Sequence, residues 1–163
     1  MNMLLVLRHA KSSWIHSELT DHERPLNQRG LRAASRMGQL IADENIVPDV
    51  ILSSTARRAR QTAELVAKHC GFETEIAFVD SLYHAGPTAY VDRLAYLDDS
   101  ISSAMVVGHN PGLENLVESL TAEVTVMPTA ALARIELSIS RWWDIRSVET
   151  ARLTDVWRPR ELE

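Results

Sequence analysis

Cysteine is almost absent from this sequence of 163 residues, in which Cys70 stands alone. One cysteine excludes an intramolecular disulfide and is typical of a reducing compartment, so we expect a cytoplasmic location. It also argues against cysteine-dependent phosphatase chemistry, because Ile76 occupies the position six residues later where that chemistry needs an arginine. We therefore interpret Cys70 as a small buried hydrophobic residue.

Long apolar runs and an excess of positive charge are also missing. No stretch approaches the roughly 20 apolar residues of a membrane-spanning helix, so we expect no membrane contact. The 17 lysine and arginine residues are outnumbered by 22 acidic ones, and the net charge of −5 argues against general affinity for nucleic acid. The sequence has no glycine-rich phosphate loop and no histidine spacing typical of a metal site, so we expect neither a metal nor another cofactor.

What is present is an alternation of short apolar runs with helical patterns, which predicts an α/β fold. Four short buried strands are predicted, at residues 2–7, 49–52, 75–79 and 104–107. Nearer the C-terminus, residues 133–139 and 147–156 favour an antiparallel pair, and we expect Trp142 and Trp143 to plug the end of the core. We therefore predict one domain over residues 1–163, a three-layer α/β/α sandwich with a mostly parallel central sheet and an antiparallel C-terminal pair.

Residue types that begin and end helices mark the boundaries of the helical patterns. Asn27 has the side chain of an N-cap residue for the first helix, and Ser53 and Ser54 have it for the second. Gly71 stands where a glycine commonly ends a helix, and it closes the second pattern. Two further helices are predicted over residues 87–97 and 112–120.

Two of the predicted strands end on histidine. The first strand is followed by Arg8 and His9, and the fourth is followed, after one glycine, by His109. Ligands of open α/β sheets bind beyond the carboxyl ends of the strands, so we expect both histidines to face one crevice. A histidine there can act as a nucleophile if a backbone carbonyl holds its other ring nitrogen, and arginine binds phosphate oxygens in a bidentate manner.

A third basic segment follows the second strand, where Arg57, Arg58 and Arg60 fall in the first turns of a helix. Arginines at a helix N-terminus oppose the helix dipole unless an anion is present, although at least one of the three is expected to be simply solvated. Together the three segments predict a phosphate pocket with two arginines and two imidazoles. The remaining histidines are expected to be exposed or locally bonded: His16, His22, His69 and His84.

These motifs resemble those of the histidine phosphatase superfamily, which has the phosphoglycerate mutase-like fold, and in particular the small SixA-type phosphohistidine phosphatases. The matching segments occur in order along nearly the whole chain: residues 7–14, 24–30, 54–62, 82–85, 107–112 and 127–131. The resemblance therefore implies that fold for the complete domain.

The resemblance also implies roles for particular residues. His9 is the residue that would be transiently phosphorylated, while Arg8, Arg58 and a protonated His109 would clamp the phosphoryl group. Arg58 is preferred to its neighbour because it stands four residues before a threonine, as the family arginine does. Ser12, together with the serine that follows it, is expected to line the mouth of the pocket and to contact substrate.

The sequence departs from the mutase-like members of the family in one respect. Those enzymes carry a glutamate before the second histidine that protonates the leaving group, whereas residues 79–84 contain none. Asp80 is the nearest carboxylate and hence the candidate general acid, with a purely solvated role as the alternative. The stretch between Gly71 and Ala104 is also short, so we expect no cap insertion over the site.

The missing glutamate favours a leaving group that needs little acid assistance, and an uncapped pocket admits a side chain that projects from another protein. The conjugate acid of imidazole has a pKa of about 6.5, whereas an alcohol leaves as a much stronger base. The resemblance therefore implies a monomeric phosphatase that hydrolyses phosphohistidine on a phosphorelay or phosphotransfer protein. Two alternatives stay open: a phosphomonoesterase or mutase acting on small phosphorylated substrates at the same site, and a non-catalytic module that binds phosphorylated proteins, against which the two histidines argue.

Overall fold

In the computed structural model, which describes residues 1–162, six strands form one mixed sheet. The strands are β1 (Asn2–Arg8), β2 (Val50–Ser54), β3 (Ala77–Val79), β4 (Ser103–Gly108), β5 (Leu132–Leu137) and β6 (Arg152–Trp157). Their order across the sheet is β3-β2-β4-β1-β5-β6. The first four in that order are parallel, whereas β5 runs antiparallel to both of its neighbours. The predicted mostly parallel sheet with an antiparallel C-terminal pair is confirmed, although β3 is shorter than predicted.

Helices cover both faces of the sheet and complete the predicted three layers. They are α1 (Gln28–Asp43), α2 (Arg57–Cys70), α3 (Pro87–Ala95) and α4 (Gly112–Thr121). Alternate residues of β1 point to opposite faces, so Leu5 and Leu7 pack in the core under α1 and α2, while Leu4 and Val6 pack in the core under α3 and α4. Within residues 1–162, none of the helices has the length and apolar character needed to cross a bilayer.

The predicted helix caps are confirmed in two cases and wrong in one. Asn27 Oδ1 accepts the backbone N–H of Gly30 at 2.8 Å, and Gly71 ends α2 with a φ of 80°. The serine cap of α2 is wrong, because this helix begins at Arg57 and Ser54 still belongs to β2. Ser54 is thereby left buried at a strand end, close to the carboxyl ends of β1 and β4.

The tryptophan pair is divided between core and surface. Trp142 is fully buried and its indole N–H donates to the carbonyl of Ile101 at 2.8 Å, which confirms the expected plug. Trp143 is 48% exposed and lies against Tyr96, so the prediction was wrong for this residue. Adjacent positions in this 3-10 turn point in different directions, and only one of the two can therefore enter the core.

The pairing of β1 with β4 positions the two site histidines. Arg8 lies opposite Gly108 in the parallel register, and the backbone N–H of His9 donates to the carbonyl of Gly108 at 3.0 Å. His9 and His109 therefore begin neighbouring loops at the same edge of the sheet. Gly108 is needed at this point because a Cβ atom there would collide with the hydroxyl of Tyr90.

Candidate active site

A cavity of about 390 Å³ opens beyond the carboxyl ends of β1 and β4. It brings together the four residues that the sequence placed in the phosphate pocket: Arg8, His9, Arg58 and His109. Ser12 lines it as well, as predicted for the pocket mouth. Their catalytic roles stay predictions, but the geometry shows what these side chains can do together.

His9 is held as a neutral imidazole with one nitrogen free. Its Nδ1 lies 2.7 Å from the carbonyl of Ala10, so Nδ1 carries the proton that is donated to this oxygen. Burial is the main cause that lowers the pKa of His9 to about 4, and the nearby Arg58 and Arg8 add to it. The unprotonated Nε2 is therefore available as a nucleophile at neutral pH.

His109 lies beside His9, with a distance of 5.1 Å between the ring centroids. Its Nε2 lies 2.8 Å from Ser54 Oγ, which already accepts the backbone N–H of Ala56 at 3.2 Å. The Ser54 hydroxyl hydrogen has no acceptor besides His109 Nε2 among the described residues, so we assign this hydroxyl as the donor to Nε2, which places the proton of the ring on Nδ1. This Nδ1 is buried without a hydrogen-bond partner among the described residues.

His109 is neutral at pH 7 in the ligand-free protein, and its protonated state with a phosphoryl group bound stays a prediction. Burial is the main cause that lowers the pKa of His109 to about 3, and the proximity of His9 and Arg58 contributes to this shift. A neutral His109 still donates through Nδ1–H, so this residue contributes a hydrogen bond rather than a full positive charge to an anion that enters.

The two arginines are fixed from behind by protein oxygens. Arg8 Nη1 donates to the carbonyl of Met127 at 3.1 Å. Arg58 donates to the backbone carbonyl of Asp21 through Nη1 at 2.7 Å and to the Asp21 carboxylate through Nη2 at 3.1 Å. The Nε atoms of both arginines are buried without acceptors among residues 1–162. Together with His109 Nδ1 they form a set of unsatisfied donors, and buried donors are normally satisfied. The oxygens of a phosphoryl group are acceptors of the kind that this set lacks.

Thr62 connects the loop after β1 to α2. Its hydroxyl accepts the backbone N–H of Ala10 at 3.0 Å and donates to the carbonyl of Arg58 at 2.7 Å. This explains the spacing by which Arg58 was chosen. Arg57 is exposed, Arg60 stacks over the ring of Phe78 at 4.1 Å, and neither lines the cavity.

Asp21 and Arg24 line the cavity and were missed in the sequence. Asp21 accepts hydrogen bonds from Arg24 at 3.0 Å, from Arg58 at 3.1 Å and from the Tyr83 hydroxyl at 2.5 Å. Burial alone would raise the pKa of Asp21, but the bonds from Tyr83 and Arg24 and the charge of Arg58 lower it well below its usual range. Asp21 is therefore ionised at neutral pH and has no proton to give to a leaving group.

Arg24 also determines what Ser12 does. Its Nη1 donates to Ser12 Oγ at 2.6 Å, and its guanidinium lies 3.5 Å from the centroid of the Trp14 ring. Arg24 is 8% exposed, and a buried arginine needs partners of this kind. One sequence signal could have indicated it, namely the position of Arg24 within one of the segments that match the family.

The structure does not bring Asp80 into the cavity. Asp80 is exposed and begins the 3-10 turn Asp80–Leu82, directly after β3, which is the edge strand of the sheet. The position of Asp80 therefore gives no support to a role as general acid. His84, in contrast, lines the cavity mouth and stacks on Tyr83 at 3.9 Å between ring centroids. Within residues 1–162, no group of three or more histidine, cysteine or carboxylate side chains is arranged to hold a metal ion.

Comparison with known proteins identifies a family model and related structures that agree with the fold and the site described above. The model of the "Histidine phosphatase superfamily (branch 1)" matches residues 4–82, a range that contains Arg8, His9 and Arg58. A crystal structure of a protein from Agrobacterium tumefaciens that carries the SixA name is 31% identical to this chain. The match covers 97% of this chain and 98% of that one, with a TM-score of 0.83.

Two further proteins are also similar to this chain. An uncharacterised chloroplastic protein of Arabidopsis thaliana is 33% identical over 85% of this chain and 68% of its own length. The structure of the protein histidine phosphatase SixA complexed with tungstate has a TM-score of 0.86 over 99% of both chains, but at 19% identity it shows the fold alone. The fold is thus phosphoglycerate mutase-like, and this chain belongs to the histidine phosphatase superfamily.

Proposed function

We propose that this protein is a phosphatase that hydrolyses phosphohistidine on another protein, through a phosphohistidine intermediate at His9. The proposal is carried by one observation about the cavity: Asp21 is the carboxylate that lines it, and three hydrogen-bond donors hold that carboxylate ionised. A site whose carboxylate cannot protonate a leaving group is suited to one that departs without a carboxylic acid.

In the first step His9 Nε2 attacks the phosphorus atom of the substrate, and the P–N bond of the substrate breaks. The attacking and leaving groups are then the same chemical group, an imidazole. When the other ring nitrogen of the substrate is protonated, this imidazole leaves neutral, and His9 keeps its Nδ1 proton on the carbonyl of Ala10. No proton has to be supplied by the enzyme.

In the second step water attacks the phosphorus of phosphorylated His9. The P–N bond breaks, its electron pair returns to Nε2, and both protons of the water stay with the phosphate as dihydrogen phosphate. Donors on Arg8, Arg58 and His109 stabilise the charge that spreads over the phosphoryl oxygens in both steps, which is the main catalytic contribution in phosphoryl transfer.

The substrate class is tested by comparing two peptides of one sequence, which carry either phosphohistidine or phosphoserine at the same position. We expect kcat/KM to be at least about 100-fold higher for phosphohistidine, because the alkoxide of serine would need a general acid. His9→Ala serves as the control for contaminating phosphatases. A higher kcat/KM for phosphoserine would overturn the proposal in favour of an ordinary phosphomonoesterase.

A further inference from the structure

A second cavity of about 860 Å³ lies beside the active site. Both cavities are lined by Arg8, Lys11 and Thr129, so a ligand whose phosphoryl group is at His9 can extend from one into the other. We call the second cavity the basic groove, since six cationic side chains line it in addition to Arg8: Lys11, Arg29, Arg32, Arg36, Arg158 and Arg160.

The charge of the basic groove is opposite to that of the molecule, whose net charge is −5. Glu161 is the acidic residue of its lining, and it pairs with Arg158 at 3.5 Å. The other five cations have no carboxylate of residues 1–162 within 4.0 Å. The groove therefore concentrates positive charge that the described chain itself does not neutralise.

The arrangement along α1 is unfavourable for the isolated protein. Arg29, Arg32 and Arg36 are exposed and line the same groove, and like charges three or four residues apart on a helix repel each other. Arg29 and Arg32 also lie near the N-terminus of α1, where the helix dipole favours anions. An anionic ligand would remove both costs.

The shape and the other lining residues indicate which anion fits. The three arginines of α1 extend over about 10 Å of helix, which is longer than one phosphate group. Apolar groups lie among the charges, including Val126, Pro128 and Pro159. A bare polyphosphate has no apolar surface to bury there. No aromatic side chain is present among the described lining residues, so the groove lacks the stacking surface used for single-stranded nucleic acid.

We propose that the basic groove binds an acidic peptide segment of the protein whose phosphorylated histidine enters the active site. This inference rests on the proposed function, because it identifies the flanking sequence of the same substrate. Carboxylates of the segment contact the arginines of α1, and its apolar side chains lie on the apolar part of the groove. Specificity for one phosphoprotein over another then comes from this second contact.

The test uses two phosphohistidine peptides, one flanked by glutamates and one flanked by glutamines. We expect a lower KM for the glutamate peptide with wild-type protein. The double variant Arg32→Gln/Arg36→Gln should raise that KM about five- to tenfold and leave kcat unchanged, since neither arginine lines the catalytic cavity. The preference should also disappear in about 1 M salt, where the screening length is about 3 Å.

The matched control is Arg93→Gln/Arg152→Gln, which removes the same charge from exposed positions on α3 and β6 outside both cavities. It should keep the preference for glutamate. Anisotropy of a labelled, unphosphorylated glutamate peptide measures the groove without catalysis. Absence of turnover on both peptides would refute the proposed function but not the inference about the groove. The anisotropy measurement would still show whether the groove binds the glutamate peptide. Equal KM values with unchanged anisotropy in the double variant, or tighter binding of an oligonucleotide than of the acidic peptide, would overturn the inference.

Discussion

Ser54 Oγ lies 2.8 Å from His109 Nε2, and this contact decides which nitrogen of the second imidazole is left for a ligand. With Nε2 accepting from the hydroxyl, the proton resides on Nδ1, which has no other partner among the described residues. Ser54 of β2 thus sets the tautomer of His109, and the neutral imidazole of His109 can donate a hydrogen bond through Nδ1.

Ser54→Ala should lower kcat on a phosphohistidine peptide by roughly tenfold, which corresponds to one hydrogen bond to a reacting group. The nitrogen chemical shifts of His109 should change from a single tautomer to a mixture, which a merely structural effect would not produce. Ser53→Ala is the control, since Ser53 is equally buried but donates to a backbone carbonyl. Retention of the single tautomer in Ser54→Ala would contradict the assignment.

Arg58→Ala should weaken catalysis far more than Arg57→Ala. Loss of a clamp on the phosphoryl group costs on the order of 2–4 kcal/mol of transition-state stabilisation, whereas an exposed arginine outside the cavity contributes little. Kinetics on the phosphohistidine peptide and inhibition by tungstate, a phosphate mimic, measure the two effects independently. Equal losses of activity in the two variants would show that Arg58 is not the arginine of α2 that binds the phosphoryl group.

Asp21→Asn and Asp80→Asn separate charge from proton donation. Asp21→Asn should lower activity by a similar factor on phosphohistidine and on aryl phosphates, because it removes the negative charge and one of the two carboxylate oxygens that orient Arg58 and Arg24. Asp80→Asn should leave all activities unchanged, since Asp80 is exposed outside the cavity. A loss that grew with the pKa of the leaving group in either variant would instead identify a general acid.

The two histidines make the folded protein sensitive to acid. Burial lowers the pKa values of His9 and His109 to about 4 and about 3, below the ordinary value of about 6.5 in the unfolded chain. The unfolded state therefore binds more protons below about pH 6.5, so stability is complete above that pH and falls as the pH drops toward 4. Urea unfolding at pH 7.5 and 5.0 should show this loss, and His9→Gln/His109→Gln should reduce it. An equal loss in the double variant would assign the acid sensitivity to other groups.

The sheet and the positions of the central site residues followed from local sequence patterns. Buried strands have short apolar runs, and the residues that end β1 and β4 in a parallel sheet must meet at one edge. Arg8, His9 and His109 were therefore predictable. Arg58 was chosen through the family resemblance, in which the arginine stands four residues before a threonine. The hydrogen bonds of Thr62 to both segments explain this spacing.

The remaining features depend on contacts that no local pattern encodes. Asp21 begins a single 3-10 turn, and its ionised state is set by Arg24, Arg58 and Tyr83, two of which are distant in sequence. Ser54 was interpreted as a helix cap because its chemistry fits one, but α2 starts three residues later. The basic groove could not be predicted from the sequence, because its arginines come from α1 and from the C-terminal segment, which meet only in the folded chain.

In the proposed mechanism His9 is phosphorylated during turnover of a phosphohistidine substrate, and this covalent intermediate can be trapped. Protein mixed with a radiolabelled phosphohistidine peptide and quenched within milliseconds should carry a covalent label that is stable in base and lost in acid. Peptide mapping should place this label on His9, and His9→Ala should carry none while keeping the wild-type circular dichroism spectrum. Turnover by His9→Ala, or a label on any other residue, would rule out His9 as the nucleophile.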